Sequence, residues 1–267
     1  MMKYITKTDL CIVTRYSGVV MICVGLMCLS PLLIDLIYFE FNYSCFIIPG
    51  VFSVILGYIC MKTLDKYSRS KMKLKHGMMI SSIAWMWACI VGGVVISLAT
   101  GTDFLNGIFE STSALTGTGI TMFDNVEILP HSILFFRAFE QWVGGLGVVV
   151  MVIGVLTRPG TATAKLYQSE AREERLKPSV KTTLKKTIEI YLIYTIVGII
   201  LYHLAGMPTF DSICNTFCMI ATGGMSVKNA NIGYYHNDLI YLISIVLMIL
   251  GATSCLLYTS PSPRDRG

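Results

Sequence analysis

The chain has 267 residues, 54% of them hydrophobic and only 14% charged, with a formal net charge of +5 and a mean hydropathy of +0.65. That balance excludes an ordinary soluble domain and points to an integral membrane protein. The basic excess gathers in loops without aromatic stacking platforms or a nucleic-acid motif, so it reads as membrane topology rather than nucleic-acid binding.

Apolar runs long enough to cross about 30 Å of hydrocarbon lie at 12–38, 44–61, 78–99, 130–156, 188–206 and 237–257. They predict an all-α integral membrane fold with six transmembrane helices. The first run is longer than the core of a cleavable signal and has no small-x-small cleavage site; Pro31 is expected to kink it. The loop at 62–76 carries Lys62, Lys66, Arg69, Lys71, Lys73 and Lys75 against Asp65 alone. The loop at 158–187 is also dominated by Lys and Arg, over Glu170, Glu173 and Glu174. In contrast, 100–129 has no Lys or Arg, and 206–236 has only Lys228. Basic loops stay cytoplasmic, so the N-terminus is expected inside, with every span alternating without conflict.

Two shorter half-apolar stretches, 104–115 and 210–220, follow the third and fifth runs. Each is too short to span and suits a re-entrant helix entering from the outside. After each comes a tract rich in glycine and hydroxyls, Ser113-Ala-Leu-Thr-Gly-Thr-Gly-Ile-Thr121 and Ile220-Ala-Thr-Gly-Gly-Met-Ser226. Gly119-Ile120-Thr121 recurs as Gly224-Met225-Ser226 at a spacing of 105, and in the same register Asn106 falls on Asp211. Read this way, 77–157 and 187–257 share one plan of span, half-helix, tract and span. Duplications of this kind place a binding site at the junction of the repeats.

Glycine lets a chain turn successive carbonyls toward an axis, where they can replace the water around a cation. Half-helices starting at Asn106 and Asp211 would aim their partially negative carbonyl ends at the tracts. Neither tract holds a carboxylate, which favours a weakly hydrated monovalent ion such as K⁺ over Ca²⁺ or Mg²⁺. Arg137 and Glu140, three apart in the fourth span, can meet on one helix face. They read as an anchor for the pore loop or as a charge in the ion path, with Arg137 near enough to the outer surface to snorkel. Gly144, Gly145 and Gly147 suit close helix approach. The nine cysteines form no Cys-x-x-Cys pair, and the four histidines are scattered, so neither zinc nor a disulfide framework is expected. No nucleophile–base set or phosphate loop occurs, which argues against an enzyme and against any cofactor beyond a transported ion.

The residues Phe109-Glu-Ser-Thr-Ser-Ala-Leu-Thr-Gly-Thr-Gly-Ile-Thr121, Leu129-Pro-His-Ser-Ile-Leu-Phe-Phe-Arg137, Gln141-Trp-Val-Gly-Gly-Leu-Gly147, Ala221-Thr-Gly-Gly-Met-Ser226 and Asn229-Ala-Asn-Ile-Gly-Tyr234 together resemble the Trk/Ktr/HKT superfamily of potassium transporters, specifically its TrkH branch. The resemblance runs from about Arg15 to Ser254. It implies four span–pore-loop–span repeats around one pore, each giving one strand of a selectivity filter. Thr116, Gly117, Thr118 and Gly119 would be the first strand, and Ala221, Thr222, Gly223 and Gly224 the second, with K⁺ the only metal. Asn106, Asp211, Arg137 and Glu140 would support the loops. It further implies K⁺ uptake, by symport, at the bacterial inner membrane. The implied partners are a peripheral nucleotide-binding cytoplasmic subunit and, at full length, a second copy in a homodimer.

The expected organisation is a two-helix region at 1–76, a first pore repeat at 77–157, a basic cytoplasmic loop at 158–186, a second pore repeat at 187–257 and a polar tail at 258–267. Two repeats and a tail foreign to the family suggest a truncated product. Gly117 stands where the family often has a further hydroxyl. A Na⁺-permeable relative and a non-conducting membrane scaffold remain the competing readings.

Overall fold

In hydrocarbon every backbone N–H and C=O must find a partner within the protein, and a chain this apolar meets that demand with helices. The structure, a computed structural model, describes residues 6–67, 74–156 and 180–256. The helices are α1 (Lys7–Leu29), α2 (Leu32–Tyr38), α3 (Tyr43–Thr63), α4 (Leu74–Thr100), α5 (Phe104–Leu115), α6 (His131–Leu156), α7 (Val180–Leu204), α8 (Thr209–Ile220) and α9 (Asp238–Leu256). No strand occurs among the described residues. Most of the basic loop expected at 158–186, and the tail at 258–267, lie outside them.

Lys7–Tyr38, Tyr43–Thr63, Lys75–Thr100 and Lys185–Leu204 are long and apolar enough to cross a membrane. The runs expected at 130–156 and 237–257 form α6 and α9, the latter a shorter apolar helix at Asp238–Thr253. Pro31 breaks the first run: α1 ends at Leu29 and Pro31 caps the separate helix α2.

The chain divides into two compact units, Met1–Leu115 with Ile120–Glu140, and Thr116–Gly119 with Gln141–Gly267. In the first, α1 and α3 pack through matched glycines. A β-carbon on Gly25 would meet the Gly50 carbonyl oxygen at 2.6 Å, and one on Gly18 would meet that of Gly57 at 2.6 Å. Only hydrogen side chains permit this approach, which brings dispersion contact where no water is left to expel. Ser53 donates to the Met21 carbonyl at 2.7 Å and accepts from the Trp87 indole at 2.8 Å, tying α1, α3 and α4 together. At the start of α1, Asp9 caps the helix with Thr6 and also pairs with Lys75 and with His76 (2.7 Å) of α4. Helix α5 lies against α4, with Gly107 facing Gly93.

The second unit packs α7, α8 and α9 around Tyr191, Tyr202, Met207, Met219, Ile220, Ile240, Ile243 and Leu247. Trp142 packs here too: its indole donates to Thr195 at 3.0 Å and its ring meets Tyr191 and Phe217.

Candidate functional site

The two half-apolar stretches form helices of 12 residues each, Phe104–Leu115 and Thr209–Ile220. Both boundaries are offset by the same 105 positions as the tracts. Cys214 and Cys218 lie on the buried face of α8. Each helix ends directly before its tract, and there the backbone turns left-handed twice at corresponding places: φ is +68° at Gly117 and +52° at Thr222, then +76° at Gly119 and +83° at Gly224. Glycine reaches these angles freely, but Thr222 is β-branched and reaches them only under strain from its surroundings.

The residues Thr116–Gly119 belong to the second unit, with the tract at 221–224. The two tracts touch through backbone. A β-carbon on Gly119 would overlap the Gly223 carbonyl oxygen and lie 3.3 Å from the Gly224 α-carbon. Gly117 faces the Ala221 carbonyl and the Gly223 α-carbon, both 3.8 Å from a β-carbon placed there. Thr116 and Thr118 share a hydrogen bond of 2.8 Å between their hydroxyls and are exposed, as are Thr222 and Gly224.

Three carbonyls of the second tract accept from side chains. Thr222 donates to Ala221 at 2.7 Å, Gln141 Nε2 to Gly223 at 2.8 Å, and Asn231 Nδ2 to Gly224 at 3.2 Å. Each carbonyl oxygen has two lone pairs, so one such bond leaves capacity for a second partner. Gln141 and Asn231 were not among the residues expected at the site. Both lie in stretches that carry the family resemblance, Gln141–Gly147 and Asn229–Tyr234, but nothing in local spacing aims either side chain at the tract.

Each unit also holds a polar cluster. In the first unit, Glu110 of α5 is fully buried and pairs with Arg137 Nε at 2.7 Å. The same carboxylate accepts from the Thr121 hydroxyl and the Met122 amide, both at 2.8 Å, and Arg137 Nη2 donates to Thr121 at 3.1 Å. Two expectations for Arg137 need correcting. It is 2% exposed and does not snorkel, and its ion pair is with Glu110 across helices, not with Glu140 on its own helix. Glu140 instead accepts from Ser111 at 2.6 Å, and its second oxygen meets no hydrogen-bond donor among the described residues.

In the second unit, Asn215 is fully buried and donates to the Tyr235 hydroxyl at 3.2 Å, while Tyr235 donates to Asp211 at 2.7 Å. Burial and then this bond to Asp211 push the Tyr235 phenol well above its ordinary pKa. Ser226 donates to Asn215 Oδ1 at 3.4 Å. Asn106 and Asp211, matched by spacing, differ in surroundings: Asp211 is buried, whereas Asn106 is exposed in the first turn of α5. Gly145, for which close approach was expected, would place a β-carbon 3.1 Å from both Ala221 and the Tyr191 hydroxyl.

Residues 47–259 match the model of the TrkH family, described as a cation transport protein. The chain is 38% identical over 249 residues to the uncharacterized cation transporter MJ1485 of Methanocaldococcus jannaschii, covering 92% of this chain and 51% of that one. It is 31% identical over 253 residues to the Trk system potassium uptake protein TrkG of Escherichia coli, covering 92% and 52%. The crystal structure of the potassium transporter TrkH from Vibrio parahaemolyticus superposes with a TM-score of 0.77 at 28% identity, over 89% of this chain and 48% of that one. The chain thus spans about half the length of the relatives it matches. A match over most of these residues, to a family of membrane cation transporters rather than of enzymes, carries one conclusion: the chain belongs to the TrkH family.

Proposed function

We propose that this chain is membrane machinery for K⁺ uptake, and that Thr116–Gly119 and Ala221–Gly224 are two strands of the filter through which the ion passes. The observation that carries the reading is the repeated pair of left-handed residues, 105 apart, on backbones that touch. A strand with this alternation can turn successive carbonyls to one side, and rows of carbonyl oxygens substitute for the hydration shell of a large monovalent cation. Helices α5 and α8 direct their carbonyl ends toward the tracts, adding partial negative charge where the ion loses water. The path needs no cofactor and no covalent step.

In this reading the chain carries two of four repeats, and the remaining oxygens of the ion's cage come from further strands. The six spans alternate from a cytoplasmic N-terminus in the inner membrane, and α5 with α8 are re-entrant from outside. Arg137, Glu140 and Asp211 hold the pore hairpins, and Asn106 opens the first. A cytoplasmic nucleotide-binding subunit and a second copy of the protein complete the assembly.

Rubidium flux into proteoliposomes holding the chain together with the further strands that complete the pore tests this. Gly119→Ser should reduce the flux at least tenfold, because the added atom meets the Gly223 carbonyl and the side chain disfavours the left-handed angle. Flux that Gly119→Ser leaves intact would return the tracts to mere helix packing. Stronger competition by Na⁺ than by K⁺ would identify a Na⁺-permeable relative instead.

A further inference from the structure

We infer that Gln141 is a positioning residue that sets the ion preference of the second tract by holding both peptides beside Gly224. This rests on the filter reading above. Its amide makes two bonds of opposite sense: Nε2 donates to the Gly223 carbonyl at 2.8 Å, and Oε1 accepts from the Met225 amide at 3.3 Å. Gly224, with φ of +83°, lies between these two groups. One planar side chain therefore bridges the turn and fixes the direction of the Gly223 carbonyl relative to the next peptide.

Three further features fit this role. Gln141 is fully buried, so neither bond competes with water. There is no spare room around it: a β-carbon on Gly223 would overlap the Gln141 amide, so the position across from it must be glycine. Helix α6 is itself held next to Gln141, because the Trp142 indole donates to Thr195 and the Tyr191 hydroxyl donates to the Trp142 carbonyl at 3.0 Å. The amide thus reaches the tract from a fixed support. Discrimination between K⁺ and Na⁺ depends on how firmly oxygens keep their spacing or number, and a strand freed of its clamp can follow a smaller ion inward.

The test compares Gln141→Met, which keeps the length but has no amide, and Gln141→Leu with the unsubstituted protein in proteoliposomes. The quantity read is the ratio of K⁺ to Na⁺ concentrations that halve rubidium flux. This ratio does not depend on how much protein is active. Both variants should lower the preference for K⁺ about tenfold, the size expected for two modest hydrogen bonds that act on one state more than another. Ser53→Ala, which breaks the buried tie between α1, α3 and α4 and touches neither tract, should cost stability and leave the ratio unchanged.

If the unsubstituted, completed pore passes no rubidium, the filter reading falls and takes this inference with it. If it conducts and the Gln141 variants keep its ratio within twofold, the filter reading stands and the role of Gln141 is overturned. Failure of both Gln141 variants to fold while Ser53→Ala folds would make the amide a general packing group, which also overturns the assignment.

Discussion

At positions 110 and 215, 105 residues apart, helix α5 buries a carboxylate and α8 buries an amide. Glu110 gathers three donors at once, from Arg137, Thr121 and the Met122 backbone. Asn215 reaches Ser226 only at 3.4 Å and passes its own donor to Tyr235. The residues they hold, Thr121 and Ser226, stand at matching places two beyond the left-handed glycines. A single carboxylate accepts from several directions with charge-assisted strength, and a neutral amide cannot. The second hairpin is instead clamped on the strand itself, by Gln141 and Asn231. One hairpin is braced from behind and the other is gripped along its length, so the two halves of a duplicated plan keep the backbone shape and differ in what enforces it.

The largest test of this contrast removes each brace. Glu110→Ala or Arg137→Ala leaves an uncompensated charge in a site with almost no solvent, and should destabilise the protein by about 3–5 kcal/mol. Asn215→Ala removes a neutral group and should cost about 1–3 kcal/mol. Thermal or chemical unfolding in detergent measures both. The double variant Glu110→Gln with Arg137→Met, free of buried charge, should recover much of the loss. If Asn215→Ala proves as damaging as Glu110→Ala, the asymmetry of the two braces is not energetic.

How much of this was readable from residues alone depends on the range of the contact. The periodic features were legible: the stretches expected at 104–115 and 210–220 form α5 and α8, the second starting one residue earlier at Thr209, and Pro31, expected to kink the first run, stands at the break after α1. The pairing of Arg137 was not. Helix geometry offers Glu140 three residues away, but the guanidinium turns to Glu110, 27 positions back and on another helix. Nothing in local spacing encodes that choice. Asn106 and Asp211 show the complementary failure. Register matched them correctly as first-turn residues, but burial is decided by what the rest of the fold lays over them, and only Asp211 has Tyr235 above it. Gln141 sits between these cases, since an amide inside a membrane span demands a partner without naming it.

A smaller effect is expected where the comparison concerns backbone strain. Gly117 and Thr222 hold the same left-handed position, at φ of +68° and +52°. Thr222→Gly relieves a strained β-branched residue and should stabilise the folded protein by about 1 kcal/mol, seen as a higher unfolding temperature. The hydroxyl that donates to Ala221 is lost at the same time. A net loss of stability on this substitution would mean that the hydroxyl contributes more than the strain costs, and that Thr222 is held for its oxygen.

The charged-versus-neutral contrast extends to the helices that follow the tracts, and there it makes a prediction about acid. Helix α6 is capped from a distance: Glu40, in the link between α2 and α3, accepts from the His131 and Ser132 backbone amides at 2.5 and 2.9 Å and from the Ser132 hydroxyl at 2.6 Å. Near the start of α9 the cap is local and neutral, with Asn237 accepting from Leu239 at 2.9 Å. Partial burial opposes ionisation of Glu40, but the hydrogen bonds from Ser132 and His131 outweigh it and hold its pKa below the ordinary 4.5. A carboxyl lowered in this way adds stability that is fully present above its unfolded pKa and is lost as pH falls through the folded value. The first hairpin's cap therefore weakens below about pH 4.5, the cap of α9 does not, and Glu40→Gln should flatten the acid limb of the stability curve while Asn237→Ala lowers stability equally at every pH. An acid limb unchanged in Glu40→Gln would assign the pH dependence to other carboxylates and leave Glu40 a cap whose charge is immaterial.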